Sequence, residues 1–367
     1  TAIPEDELAV ALLDRDRQVL LVLAAALCAG LALAGSVARR TARPLEVLAD
    51  TAERAGRLDL SPPAGRPSAW REIEALQEAH GRMCAALGSF ACYVPTGLVR
   101  QLLRRGGAAK LGGHSATLTV LFTDLEDFTR FAEERPAAQV AQDLSEYLSV
   151  LVGALQEHGA TIDKFIGDSV LAFWGAPEPA ADHARQGVMA VLAAEDRLRG
   201  LNAARAAAGR PAWVTRYGLA TGPVVVGNFG TASRMNYTVL GNVVNVASRL
   251  EALNKRFGSR ILATAAVRAA AGEGFAWQRL GPVLVKGRTR PEEVVELLGR
   301  MDEVPAARRD FARRCEAVLA AFETGDAAAA AELESLATAA PGDARLAFLA
   351  EMRRRGAPEA GGRHPAS

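Results

Sequence analysis

Five polar residues have the types and spacing for chemistry on a phosphate: Asp124, Lys164, Asp168, Asn245 and Arg249. Lys164 and Asp168 flank a tight turn, Ile166-Gly167-Asp168. Around them stand apolar, β-prone residues (Ile162, Phe165, Val170, Leu171, Phe173, Trp174). That pattern predicts a mostly buried hairpin of strands 161–165 and 169–174. A buried carboxylate at a hairpin tip calls for a counter-charge, a metal or a base. The plainer alternative is a Lys–Asp surface pair over a turn. Upstream, the apolar strand Leu118–Thr123 ends at Asp124, and helix-like sequence begins near Thr129. A carboxylate at a strand end, beside a helix N-terminus, suits metal-bound phosphate. Downstream, Asn245 and Arg249 are four apart and share a helix face. Two carboxylates, a lysine, an amide and an arginine together suit phosphoryl transfer.

The elements that must hold these residues alternate between strand and helix from Thr117 onward. Strands are predicted at 117–123, 161–165, 169–174, 213–221, 224–229, 260–263, 275–280, 283–285 and 294–298. Helices are predicted at 129–158 with a break near Pro136, at 182–208 and at 242–256. The result is an α/β sandwich of the ferredoxin-like kind, βαββαβ with additions. Such a fold does not by itself give function.

Six segments in this region resemble class III nucleotide cyclases, in family order and over roughly residues 112–298. They are Phe122-Thr-Asp-Leu-Glu-Asp-Phe-Thr129, Asp163-Lys-Phe-Ile-Gly-Asp168, Arg216-Tyr-Gly-Leu-Ala-Thr-Gly-Pro-Val-Val-Val-Gly227, Tyr237-Thr-Val-Leu-Gly241, Val244-Asn-Val-Ala-Ser-Arg249 and Val285-Lys-Gly287. The resemblance implies attack of a nucleoside triphosphate's 3′-hydroxyl on its α-phosphorus, with pyrophosphate leaving. It implies two Mg²⁺ or Mn²⁺ ions per active site, held at Asp124, Leu125 and Asp168. The backbone from Leu125 through Phe128 to Thr129 would wrap the β- and γ-phosphates. Asn245 would orient the ribose, Arg249 would neutralise charge at the α-phosphate, and Lys286 would hold the terminal phosphates. Lys164 would donate to adenine N1 and Thr238 would accept from the exocyclic amine. Guanylate-specific relatives usually carry glutamate and cysteine at these two positions, so Lys164 with Thr238 implies ATP. The family shares its sites across a head-to-tail homodimer, one subunit giving Asp124 and Asp168 and the other the remaining side chains. Two positions depart from the pattern: Asp127 stands where many relatives have glycine, and Asn242 replaces a common aspartate.

Val19 to Val37 is nineteen residues without a charge, about 28 Å as a helix and enough to cross a bilayer. A transmembrane helix over 18–38 is expected. A buried core helix would show a polar face, and acidic Glu5, Asp6, Glu7 and Asp14 do not suit a signal peptide. Arg39, Arg40 and Arg43 follow the span and place its C-terminal side in the cytoplasm, at the cell's inner membrane. Residues 1–17 resemble the end of a Cache-type extracytoplasmic sensor. The chain starts at Thr1 without Met, as a fragment of a longer protein would.

Leu45, Leu48, Ala52 and Ala55 form one helical seam. Ile73, Leu76, His80, Met83, Leu87 and Phe90 form a second. With Pro44 opening the first helix and a Pro/Gly connector at 62–67 between them, residues 39–90 resemble a HAMP domain, a parallel four-helix bundle in the dimer. An ordinary coiled-coil spacer is the alternative. Residues 91–111 read as a linker and 299–367 as a helical tail, in which 306–367 resembles one tetratricopeptide-like helix pair.

The 367 residues are half hydrophobic and carry a net charge of +1, which excludes an electrostatically driven nucleic-acid partner. Cys28, Cys84, Cys92 and Cys315 show no CxxC or zinc spacing and read as isolated thiols. The leading expectation is a membrane-bound adenylate cyclase. A guanylate cyclase, or a catalytically weak nucleotide-binding signalling receptor, is the alternative. No Gly-Gly-Asp-Glu-Phe signature of a diguanylate cyclase occurs.

Overall fold

Apolar residues on both faces (Leu118, Val120, Leu121, Leu125), with Thr119 and Thr123 buried among them, make β1, Gly112–Leu125, a central strand in the computed structural model. The structure describes residues 5–56, 59–61, 70–91, 93–94, 97–99, 110–283 and 291–324, with positions 328, 329, 332 and 335 beyond them; side chains are described from Val19. Two compact units divide the chain, residues 1–107 and 108–367.

In the second unit β1 is followed by α3 (Phe128–Glu133), α4 (Ala137–Glu157), β2 (Thr161–Ile166), β3 (Ser169–Trp174), α5 (His183–Ala207) and β4 (Thr215–Thr231). Then come β5 (Arg234–Leu240), α6 (Asn242–Phe257), β6 (Ile261–Thr264), α7 (Ala265–Ala271), β7 (Phe275–Val283), β8 (Glu292–Arg300) and α8 (Ala306–Glu323). The strand order is β2-β3-β1-β4-β6-β8-β7, with β5 pairing β4. The part from β1 to β4 is the expected βαββαβ.

Leu118 and Val120 fall in one apolar cluster, with Val246, Leu250 and Phe257 of α6. Leu121 and Leu125 fall in the other, with Tyr147 and Leu151 of α4 and Val188 and Val191 of α5. The strand period of two thus feeds both faces, and a sheet covered on both sides needs apolar residues at successive positions.

Several boundaries differ from expectation. Strands predicted at 213–221 and 224–229 are one strand, β4, because its ladder to β1 runs from Asn228 opposite Gly112 to Thr215 opposite Leu125. A ladder of that length outweighs the one N–H that Pro223 lacks. The strand predicted at 275–280 runs on as β7 to Val283, the first position of the strand predicted at 283–285, whose other two residues lie outside the described residues. Its pairing with β8 slips between Arg279 and Gly281, so a bulge absorbs Leu280 and the strand continues. The hairpin is only half buried: β3 is inside, whereas Phe165 and Ile166 are 53% and 50% exposed. β2 is the sheet's edge, so one side of its tip meets solvent. α8 lies against β7, with Arg279 bonding both Glu293 and Glu323 and Cys315 buried. The predicted second tail helix lies largely outside the described residues.

In the first unit α1 spans Glu5–Ala55 as one helix and α2 spans Arg71–Ala91. Pro44 lies inside α1 and does not open a second helix. A ring there removes one i→i−4 bond, but the flanking Ala- and Leu-rich sequence favours helix on both sides. Among the described residues α1 carries the one stretch long and apolar enough to cross a membrane, and none of that stretch is buried. The connector at 62–67, most of the linker at 91–111 and residues 1–4 lie outside the described residues.

Candidate active site

The end of β1 and the β2–β3 turn bring two carboxylates together. The Asp168 carboxylate accepts the Leu125 backbone N–H at 3.0 Å, and Ser169 Oγ donates to Asp124 Oδ1 at 3.1 Å. The buried Thr123 hydroxyl accepts the Val170 N–H at 3.1 Å, which holds the turn against β1. Burial, and then the negative charge of Asp168, push the Asp124 carboxyl above the usual carboxylate range; Ser169 and Arg216 pull it back only in part. Such a crowded pair fits a divalent cation, which removes the repulsion. Among the described residues no third His, Cys, Asp or Glu completes a metal cage. That suits a hard cation bound through two carboxylates plus substrate oxygens. Leu125, the third expected ligand, stands between them with its amide committed to Asp168.

The loop after β1 turns sharply. Asp127 has φ +55°, the left-handed region, and its side chain makes no cap bond to α3. Glycine takes this conformation freely and aspartate at a cost of about 1 kcal/mol. The Glu126 amide is committed to the Val214 carbonyl at 2.9 Å. Of the amides expected to wrap phosphate, those of Leu125 and Glu126 are therefore spent. Those of Phe128 and Thr129, opening α3, have no intrahelical partner. Asp127→Gly should raise the melting temperature by about 2–4 °C and raise turnover by removing a negative charge beside the phosphate loop. Thermal melts and initial rates check both.

A carboxylate not anticipated from sequence faces this pair. Burial pushes the Glu251 carboxyl up to about 7, helped by the charges of Asp124 and Asp168 and opposed by Arg216. It arrives there because Gly218 of β4 has no side chain. A Cβ at Gly218 would lie 2.1 Å from the Ala247 carbonyl oxygen and 2.4 Å from the Glu251 nitrogen, so α6 rests directly on the strand. Arg216 is buried beside Asp124's strand position, 3.8 Å from Glu126. The available signal was helical period: Glu251 falls among Ala247, Leu250 and Asn254, which are buried.

The raised Glu251 pKa makes its protonated form the one favoured by folding. The stabilising contribution is complete below the ordinary 4.5 and is lost as pH rises to about 7. Without divalent metal, melting temperature should therefore fall between pH 5 and pH 8, and Glu251→Gln should flatten that slope. The effect is on the order of 1–3 kcal/mol.

Asn245 and Arg249 lie on α6, exposed and half-buried, with no hydrogen bond or ion pair among the described residues. At about 100° per residue, Arg249 is roughly 200° round the helix from Glu251. Glu251 faces this chain's own carboxylate pair, so Arg249 and Asn245 face away from it. Lys164 and Thr238 meet elsewhere. Lys164 Nζ is 3.3 Å from Asp163 Oδ1, and Thr238 Oγ1 donates to Asp163 Oδ2. The structure thus gathers Asp124, Leu125 and Asp168 in one place and Lys164 with Thr238 in another. Lys286 lies outside the described residues.

Fold and site together define an α/β domain with an acidic pair suited to divalent metal and phosphate. A family model described as "Adenylate and Guanylate cyclase catalytic domain" matches residues 113–298, and the chain belongs to that family. It is 38% identical over 301 residues to Adenylate cyclase 1 of Rhizobium meliloti, covering 81% of this chain and 45% of that protein. It is 30% identical over 229 residues to an adenylate cyclase of Anabaena cylindrica, covering 61% of this chain and 45% of that one. The chain spans less than half the length of these curated relatives. A bacterial light-regulated adenylyl cyclase of known structure shares the fold, with TM-score 0.56 and 23% identity over 67% of this chain and 71% of its own.

Proposed function

We propose that the chain converts ATP to 3′,5′-cyclic AMP and pyrophosphate as a membrane-bound homodimer. The carrying observation is the Asp124–Asp168 pair, two carboxylates pressed together where β1 ends. Asp124 and Asp168, with the Leu125 main chain, would hold two Mg²⁺ or Mn²⁺ ions, which polarise the phosphates and acidify the 3′-hydroxyl. The Phe128 and Thr129 amides would receive the β- and γ-phosphates. Asn245 would hold the ribose, Arg249 would balance charge growing at the α-phosphate, and Lys286 would bind the terminal phosphates. Lys164 and Thr238 would read the adenine edge. The two relatives named adenylate cyclase support the choice of ATP over GTP.

The opposed directions of Glu251 and Arg249 on α6 support sharing of the site between two copies, since one chain cannot turn both sets inward. Val225 and Leu240, 41% and 49% exposed, and the bare hairpin tip offer apolar surface for that pairing. The α1 stretch would span the membrane with the catalytic unit in the cytoplasm. Leu76, Met83, Leu87 and Phe90 make an exposed stripe on α2, which a HAMP-type bundle would cover in the dimer. Rotation of such helices would move the half-sites by fractions of an ångström, enough to change the rate.

The test is cyclic nucleotide formation by the purified chain given ATP or GTP with Mg²⁺ or Mn²⁺. Cyclic AMP from ATP supports the proposal. No product from either nucleotide, with a confirmed dimer, overturns it in favour of a nucleotide-binding receptor.

A further inference from the structure

The side chain linking Lys164 to Thr238 has no part in the chemistry described so far. Asp163 is 1% exposed at its side chain, whereas Lys164 is 43% exposed. Its carboxylate takes the Thr238 hydroxyl proton on one oxygen and meets the Lys164 ammonium on the other. No other hydrogen bond or ion pair of Asp163 occurs among the described residues.

The backbone is built to allow this. In a regular strand Asp163 and Lys164 would point to opposite faces. Here the β2–β3 register slips between Ile162, opposite Ala172, and Lys164, opposite Leu171, so Asp163 is the extra, unpaired residue of a bulge. Bulges re-aim side chains, and this one leaves the Asp163 carboxylate within reach of both the Thr238 hydroxyl and the ammonium of its own neighbour, Lys164. Thr238 comes to it from β5, where it pairs with Gly227 of β4. A buried carboxylate with two polar partners is costly to assemble without them. At this edge of the sheet it builds no apolar core.

We propose that Asp163 is a positioning residue that sets purine selectivity, and this rests on the adenylate cyclase reading above. A carboxylate only accepts hydrogen bonds, so Thr238 must spend its one proton on Asp163. Its oxygen then shows lone pairs alone to an incoming base. Lys164, drawn to the same carboxylate, shows a donor. The pair presents donor and acceptor in fixed order, which matches adenine's N1 acceptor and amino donor. Guanine presents the reverse at both atoms. A free threonine hydroxyl could rotate and donate to a purine O6; a hydroxyl held by Asp163 cannot. Asp163 therefore denies GTP without touching it, by removing one of Thr238's two roles.

The experiment compares kcat/KM for ATP and GTP in the full-length chain and in Asp163→Asn and Asp163→Ser. An asparagine that turns its amino group toward Lys164 sets donor against donor, and one that turns it toward Thr238 makes the hydroxyl an acceptor and frees its proton. Serine is too short to reach both. Each change should shrink the ATP preference by about 10- to 100-fold, through a lower KM for GTP as the Thr238 hydroxyl regains a proton to donate to O6 together with a higher KM for ATP, with kcat for ATP at saturation kept within about threefold. Thr238→Val combined with Asp163→Asn should shrink it no further than either alone. The unmodified chain gives a second readout that depends on no variant folding. Inosine triphosphate, which has guanine's N1–H and O6 without its 2-amino group, should be refused as strongly as GTP. An unchanged ATP:GTP ratio in folded, dimeric variants overturns the proposal, as does equal loss with both nucleotides at unchanged KM. Ready use of inosine triphosphate by the unmodified chain overturns it too. A wild-type chain that cyclises neither nucleotide removes the parent reading and this one with it.

Discussion

Replacing Asp168 by alanine should lower cyclic AMP formation by at least about 1,000-fold. Each tenfold loss corresponds to about 1.4 kcal/mol of transition-state stabilisation, and loss of a bound metal's charge forfeits several kcal/mol. The same change should not unfold the protein. Asp168 contributes one hydrogen bond to the Leu125 amide, worth about 1–2 kcal/mol when the acceptor is charged and the donor is left near solvent. Against that, it raises the Asp124 pKa by repulsion, and that repulsion disappears with it. The melting temperature without metal should therefore stay within a few degrees of wild type. Protection by Mn²⁺ against heat, expected in wild type through mass action, should vanish in the variant. An Asp168→Ala protein that keeps more than a tenth of its activity would remove the acidic pair from the mechanism.

Arg249→Ala should cost about 100- to 1,000-fold in kcat, the usual loss when one fixed donor to a developing negative charge is removed. Arg249 has no structural partner among the described residues, so its loss should leave stability nearly unchanged. The informative step is to mix it with Asp168→Ala. If sites are shared, half of an equimolar mixture forms heterodimers, and each carries one intact site and one doubly damaged site. Activity should return to about a quarter of wild type. If each chain works alone, mixing two inactive proteins restores nothing. The half-turn between Glu251 and Arg249 on α6 is the structural ground for expecting recovery.

Much of the catalytic unit was legible in the chain. Hydrophobic period and turn residues mark β1, the β2–β3 hairpin, α5 and α6 within a few positions, because each buries a face whose pattern is local. The six motifs single out Asp124, Lys164, Asp168, Thr238, Asn245 and Arg249, because the chemistry the family resemblance implies would call for those residue types. Pro44 and Pro223 misled the boundaries, since a single missing N–H weighs little against a long helix or a fourteen-position ladder. Asp163 carried no signal of its own, and Glu251 only the helical period that sets it among buried positions of α6. Both are ordinary carboxylates in the sequence, and their surroundings come from residues far along the chain.

The sequence by itself determined most of the alternation of strands and helices, though not β5 (Arg234–Leu240) or α7 (Ala265–Ala271), together with the nucleotide-cyclase motifs and the long apolar stretch near the N-terminus. These depend on residue type and short-range spacing. Only the tertiary structure decided which groups share an environment. Gly218 lets α6 settle on β4 and swings Glu251 toward Asp124 while Arg249 faces out. The bulge at Asp163 gives its carboxylate both the neighbouring Lys164 and a threonine seventy-five positions later. Close approach of backbones and slipped register are properties of packed elements, and no local pattern of residues encodes them.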